Sequence, residues 1–345
     1  MANSTQISIE KQGPATLTIL PTYRCTAACE QCCFGSNPDI RERLTLEEIV
    51  DSIKTAHRNF SSLRHVVFSG GECVMIGDDL FESIRVATEL GLGTRIVSNG
   101  YWGASKNKSA ITAKRLRESG LKEINISTGR DHAKFVSIDA VLNAMTDAVS
   151  QGIFGFLTVE KDAEDSAVFN EITADPRFAA LNALGESRFR YQINTWMKFN
   201  EQHKDRGTSA STKPNSPCSQ LFSNLVVTPH KNISACCGLT HEHIPEMRIG
   251  SLDTNGLAAA YEAQTKDFMK IWIHVDGPDG IIKKVYGGNP PPELISNDHM
   301  CDTCARLHKC DQTRSLVRER YQEFYPDVMF RYEMKNLLDR ISQPN

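Results

Sequence analysis

Cys25-Thr26-Ala27-Ala28-Cys29-Glu30-Gln31-Cys32 places three thiols in eight residues, separated by three residues and then by two. Before it, Leu17-Thr18-Ile19-Leu20 reads as a buried strand. After it, just past Arg43-Leu44, Thr45 opens a capped helix, with Glu48 three residues on. Three soft ligands therefore share one loop at the end of a strand. Thiolates at this density hold an iron–sulfur cluster or a zinc ion. A cubane with three protein ligands leaves one iron open to something else.

Working outward, strand-like and helix-like stretches alternate. The first helix carries Leu46, Ile49, Val50, Ile53 and Ala56 at helical spacing. His65-Val66-Val67-Phe68-Ser69 is a short strand running into Gly70-Gly71-Glu72-Cys73. Helices over 79–90, 110–119 and 138–150 each stop at glycine, and strands over 94–98, 123–127 and 154–159 stand between and after them. A helical region over 169–184, broken by Pro176, precedes a sixth strand over 188–195. Repeated strand–helix units predict an α/β fold with a parallel sheet and right-handed crossovers. Six units are too few for a full eight-fold barrel, so an open sheet or a partial (β/α)6 TIM-like barrel is expected. Ligands bind at the carboxyl ends of such strands. The cysteine loop, Gly70-Gly71-Glu72, Ser98-Asn99-Gly100 and Ser127 all fall there.

The chain has 345 residues, 40% apolar and 23% charged, with a net charge of -3. These values suit a globular protein and give no reason to expect nucleic-acid or membrane binding. No signal peptide or membrane-length apolar run is visible, so a cytoplasmic location is expected. Eleven cysteines in such a chain point to metal rather than to a disulfide framework.

Past residue 200 the composition changes. The stretch 204–217 is polar and reads as a flexible loop, and 201–217 as a substrate lid. Two short β-like runs over 225–227 and 233–235 flank a turn, and a charged helix over 313–338 is interrupted near Pro326. The expected division is a tail (1–14), a barrel (15–200) and a small cysteine-rich β-hairpin/α domain (201–345).

The x3-x2 cysteine spacing, in register with Gly70-Gly71-Glu72 after the second strand, resembles the radical S-adenosylmethionine (SAM) superfamily. The resemblance implies that Cys25, Cys29 and Cys32 bind a [4Fe-4S] cluster whose fourth iron chelates SAM. Reductive cleavage of SAM would then give a 5′-deoxyadenosyl radical that takes a hydrogen atom from a substrate. It implies that Gly70, Gly71 and Glu72 line the methionine part of SAM, and that Ser98, Asn99 and Ser127 contact its carboxylate or ribose. Two departures stand out. Thr128-Gly129 replaces a usual x-Asp-Gly, and Gln31 replaces the aromatic residue that packs on adenine, leaving Phe34 as the nearest substitute.

Cys218, Cys236 or Cys237, then Arg248-Ile249-Gly250-Ser251-Leu252, then Cys301-x2-Cys304-x5-Cys310, resembles the SPASM/twitch extension of that superfamily. Arg314 stands where a full SPASM domain has a further cysteine, and none follows Cys310. The resemblance therefore implies one auxiliary [4Fe-4S] cluster, held by Cys218, Cys236, Cys301 and Cys304, with Cys310 able to replace one of them. Cys301-x2-Cys304 alone would also suit a zinc ribbon. The histidines near these cysteines, His230, His241, His243, His299 and His308, read as core or surface residues. Cys73, Cys237 and Cys310 are the candidates for returning a hydrogen atom to a substrate radical, although a buried cysteine is more often a small hydrophobe.

By this resemblance the chain is an oxidoreductase that modifies a ribosomally made peptide by cross-link, thioether or epimerisation. The alternatives are a radical SAM dehydrogenase or epimerase on a small molecule and, more remotely, a zinc-binding protein without catalysis. A flavodoxin or ferredoxin would supply the electron. With about 14 residues before the first strand, leader recognition would fall to a separate protein or another surface.

Overall fold

The computed structural model describes residues 13–160, 166–194, 199, 217–296 and 299–341. The 201–216 part of the expected lid, and most of the N-terminal tail, lie outside the described residues.

Six strands run in order with helices between them: β1 (Thr16–Ile19), α1 (Leu46–Asn59), β2 (His65–Phe68), α2 (Asp78–Glu89), β3 (Gly93–Ser98), α3 (Lys106–Glu118), β4 (Glu123–Thr128), α4 (Arg130–Ala133), α5 (Ile138–Ser150), β5 (Phe154–Glu160), α6 (Ala167–Ala174), α7 (Pro176–Ala183) and β6 (Phe189–Asn194). All neighbouring pairs from β1 to β6 are parallel. The remaining elements are β7 (Asn224–Val227), β8 (Asn232–Ser234), β9 (Arg248–Ser251), α8 (Gly256–Gln264), α9 (Phe268–Val285), α10 (Met300–Lys309) and α11 (Asp311–Ile341).

Local sequence explains where these elements start. Thr45 caps α1 in a reciprocal box: its hydroxyl accepts from Glu48 N–H at 3.2 Å, and Glu48 accepts from Thr45 N–H at 2.8 Å. Asp175 accepts from Arg177 N–H at 2.8 Å and Pro176 opens α7, so the expected break divides two helices. Pro326, by contrast, lies inside the 31-residue α11 and does not divide it. α9, not expected from the sequence, continues past a non-helical Gly277 followed by Pro278.

One nine-stranded sheet results among the described residues, ordered β6-β5-β4-β3-β2-β1-β7-β8-β9. β7 pairs in parallel with β1, and β8 and β9 add antiparallel. The hairpin expected in a separate small domain thus extends the barrel sheet past β1. Among the described residues the two larger apolar cores are distinct. The first joins Leu17, Ile19, Phe68, Ile96, Ile126 and Leu157 to α1, α5 and α8; the second surrounds the fully buried Trp272 and takes in Leu221, Cys236, Ile244 and Leu307. No described helix is long and apolar enough to cross a membrane.

Candidate active site

The cysteine loop leaves β1 and is pinned at both ends. Thr22 bridges to Arg43 and Arg24 to Asn37, and Cys25 N–H donates to the Asn37 carbonyl at 3.1 Å. A turn brings the next two thiols together, with Cys32 N–H donating to the Cys29 carbonyl at 3.1 Å. Lys134, just after α4, reaches Glu30 of the loop at 2.9 Å and Asp131 at 3.4 Å.

N–H groups point at the sulfurs. Ala27 N–H donates to Cys25 Sγ at 3.4 Å, Ser36 N–H to Cys32 Sγ at 3.4 Å, and Asn99 Nδ2 lies 3.5 Å from Cys25 Sγ. Burial pushes the Cys25 thiol up to about 11, and burial together with the neighbouring Cys32 and Cys25 pushes the Cys29 thiol up to about 12. Buried thiols such as Cys25 and Cys29 resist ionisation unless a cation compensates, and metal coordination does so. The donor set and the N–H groups aimed at sulfur fit a cluster.

Around this loop the strand ends interlock. Gly71 N–H donates to the Thr22 carbonyl and Glu72 N–H to the Arg24 carbonyl, both at 2.9 Å. A Cβ on Gly70, whose φ is +109°, would stand 2.5 Å from the Thr22 carbonyl oxygen, and one on Gly71 would overlap that of Arg24. Both glycines thus admit the backbone that leads into Cys25. The Glu72 side chain is fully buried and turned inward, accepting from Val74 N–H at 3.1 Å, Asn99 N–H at 2.8 Å and Ser98 Oγ at 3.1 Å. Burial outweighs these donors and lifts its carboxyl to about 7.

Ser98 Oγ also accepts from Gly100 N–H at 3.0 Å and Trp102 Nε1 at 3.3 Å, so it serves the β3 turn. Ser127 is half-buried, one residue before the end of β4. Phe34 stacks on Tyr23, ring centroids 5.1 Å apart and 12° from parallel. Gln31 is buried and its side-chain Oε1 accepts from Phe199 N–H at 2.7 Å. Nothing in the local sequence marks Tyr23 or Phe199 for these contacts.

A second group of thiols forms on the C-terminal part. Cys218, Cys236, Cys301 and Cys304 line one cavity of about 290 Å³, with Cys237 beside them. Cys301 and Cys304 sit one helical turn apart at the start of α10. Gly238 fits against two of the sulfurs: a Cβ there would lie 3.1 Å from Cys301 Sγ and 3.7 Å from Cys236 Sγ. Burial pushes the Cys301 thiol up to about 11 and raises Cys304 strongly, their cysteine neighbours adding to both. Among the described residues no three His, Cys, Asp or Glu side chains stand at the spacing of a single metal ion. Four thiols set around one cavity suit a cluster whose ligands bind separate irons.

Of the remaining cysteines, Cys73 is fully buried and its thiol donates to the Val97 carbonyl at 3.3 Å. Cys310 is the C-cap of α10 and does not line the cavity. Cys237 is exposed on the cavity wall, its thiol donating to Gln220 Oε1 at 3.0 Å.

Residues 19–157, spanning β1 to β5, match the sequence profile of the Radical SAM superfamily. This chain carries a radical SAM domain. YydG of Bacillus subtilis (strain 168), whose name assigns it provisionally to peptide biosynthesis, is 28% identical over 130 residues. That match covers 38% of this chain and 40% of YydG, less than half the length of either. Among solved structures, native anSMEcpe with bound AdoMet superposes with a TM-score of 0.54 at 10% identity, covering 91% of this chain and 99% of that one. The same protein with bound AdoMet and Cp18Cys peptide gives 0.50 at 9% identity, covering 91% of this chain and 99% of the other. These likenesses concern the fold, and they run through the radical SAM domain into the C-terminal elements.

Proposed function

We propose that this chain binds a [4Fe-4S] cluster on Cys25, Cys29 and Cys32 and SAM at its open iron, and modifies a peptide by hydrogen-atom abstraction. The observation that carries the reading is the three-thiol loop at the exit of β1, inside the matched radical SAM domain, with N–H groups aimed at its sulfurs. The likeness to YydG favours a peptide over a small molecule. When bound, the cluster and SAM supply the radical that abstracts hydrogen.

The protein's own groups do the positioning. Ala27, Ser36 and Asn99 donate toward cluster-ligating sulfur, which stabilises the reduced state. Glu72 holds Asn99, and the backbone of Gly70-Gly71-Glu72 together with Ser98 and Ser127 forms the SAM side of the mouth. Cys218, Cys236, Cys301 and Cys304 hold one auxiliary cluster. Cys237, exposed on the wall of that cavity, is better placed than Cys73 or Cys310 to return a hydrogen atom to a substrate radical. An external one-electron donor such as a flavodoxin or ferredoxin starts each turnover.

The test is anaerobic reconstitution, then incubation with SAM, reductant and a precursor peptide encoded beside the gene. Loss of two hydrogens by mass reports a cross-link or oxidation, and solvent deuterium gain reports epimerisation. A colourless protein holding zinc and no iron would end the enzyme reading.

A further inference from the structure

Residues 238–243 touch both cysteine sites. At one end Gly238 lies against Cys236 and Cys301 Sγ, and Thr240 Oγ1 donates to the Cys301 carbonyl at 2.9 Å. At the other end His243 Nε2 lies 3.0 Å from the Cys33 carbonyl oxygen. A carbonyl only accepts, so Nε2 carries the proton. Between them the buried His241 packs edge-on to Phe34 at 5.7 Å, and Glu242 accepts from the Tyr23 hydroxyl. One short segment thus grips the main chain of a cysteine in each site.

We propose that residues 238–243 form a strap coupling the two sites, with His243 as a positioning residue for the first. Cys33 follows the ligand Cys32 directly, so holding its carbonyl, part of the Cys33–Phe34 peptide, restrains the main chain one residue past the Cys32 thiolate. The strap's far end is set by Cys301, and only two residues of a 3-10 turn separate Thr240 from His243. A shift at the auxiliary cavity therefore has little slack in which to dissipate before it reaches Cys33. Loading the auxiliary site sets the geometry at which the first site receives SAM. Nothing in the cysteine spacing requires this; it follows from the contacts of Thr240 and His243. The inference rests on the cluster assignments proposed above.

The experiment uses the full chain, reconstituted anaerobically, and reads SAM affinity from the change that SAM causes in the electron paramagnetic resonance spectrum of the reduced protein. His243→Phe keeps a ring to stack on Phe199 but removes the donor, whereas His243→Gln keeps a donor. The Phe variant should hold wild-type iron and bind SAM about tenfold more weakly, and the Gln variant should recover most of that loss. A Cys301→Ser/Cys304→Ser variant should lose about four irons and show a similar weakening. Adding His243→Phe to it should weaken SAM binding no further. Wild-type SAM affinity in His243→Phe, or effects that simply multiply, would overturn the coupling. A wild-type protein with only about four irons would instead overturn the auxiliary-cluster reading. The Phe/Gln contrast then still decides whether His243 positions the first site.

Discussion

Asn99 reaches from the end of β3 into the cysteine loop, its Nδ2 donating to Thr26 Oγ1 at 3.0 Å while lying 3.5 Å from Cys25 Sγ. Its own N–H is held by Glu72 Oε2 at 2.8 Å. The exits of β1, β2 and β3 are thereby tied at one residue. Asn99→Asp would replace a donor facing sulfur with a negative charge. Both changes disfavour adding an electron to a cluster ligated by Cys25. The variant should show a more negative reduction potential by redox titration, and slower reductive SAM cleavage. An unchanged potential would mean that Asn99 does not sense the cluster.

The pH dependence of Glu72 has a definite sign. Burial raises its carboxyl from 4.5 to about 7, so the folded state binds the proton more tightly than the unfolded chain. Its contribution is fully present below about 4.5 and is lost as pH rises through about 7. A shift of this size corresponds to about 3 kcal/mol. Thermal unfolding of the cluster-free chain should therefore show the wild type losing stability relative to Glu72→Gln over that window. Parallel pH profiles for the two proteins would show that the carboxylate is solvated instead.

Much of the first site was legible because its signals are local. The x3-x2 thiols, the Thr45 box and the glycine stops each declare a strand exit or a helix end within a few residues. What the sequence could not convey is which distant segment each residue meets. Gly70 and Gly71 announce a close approach, but the approaching group is the backbone of Thr22 to Arg24. Phe34 was the nearest aromatic to an expected adenine contact, yet it stacks on Tyr23 and leans on His241. The parallel pairing of β1 with β7 joins Thr16 to Asn224, a contact no periodicity encodes. Locally, Gly277-Pro278 carries the signal of a stop, yet α9 resumes beyond it.

Gly71→Ala tests the close approach. Its Cβ would also stand 2.6 Å from the Tyr23 carbonyl carbon, and a backbone neighbour cannot rotate away as a side chain can. The clash should cost about 2 kcal/mol or more in denaturant unfolding. It should also lower iron loading of the Cys25 loop, because relief requires the Thr22–Arg24 backbone to move. Full stability with full iron would show that this backbone yields freely.

Cysteine replacements separate the two sites and place Cys310. Alanine at Cys25, Cys29 or Cys32 should abolish SAM cleavage, and cleavage retained in all three would end the radical SAM reading of the loop. Alanine at Cys218 or Cys301 should remove about four irons per chain while leaving the first cluster's signal. Cys310→Ala should leave the iron count unchanged. The reason is geometric: Cys301 and Cys304 share a face at the start of α10, whereas Cys310 caps its far end. There the Thr313 hydroxyl and N–H hold its thiol below the usual range. A thiol so lowered ionises more readily than the buried Cys304, and alkylation of the loaded protein should modify Cys310 well before Cys304. Loss of iron in Cys310→Ala would instead mean that the end of α10 turns inward when the cluster is bound.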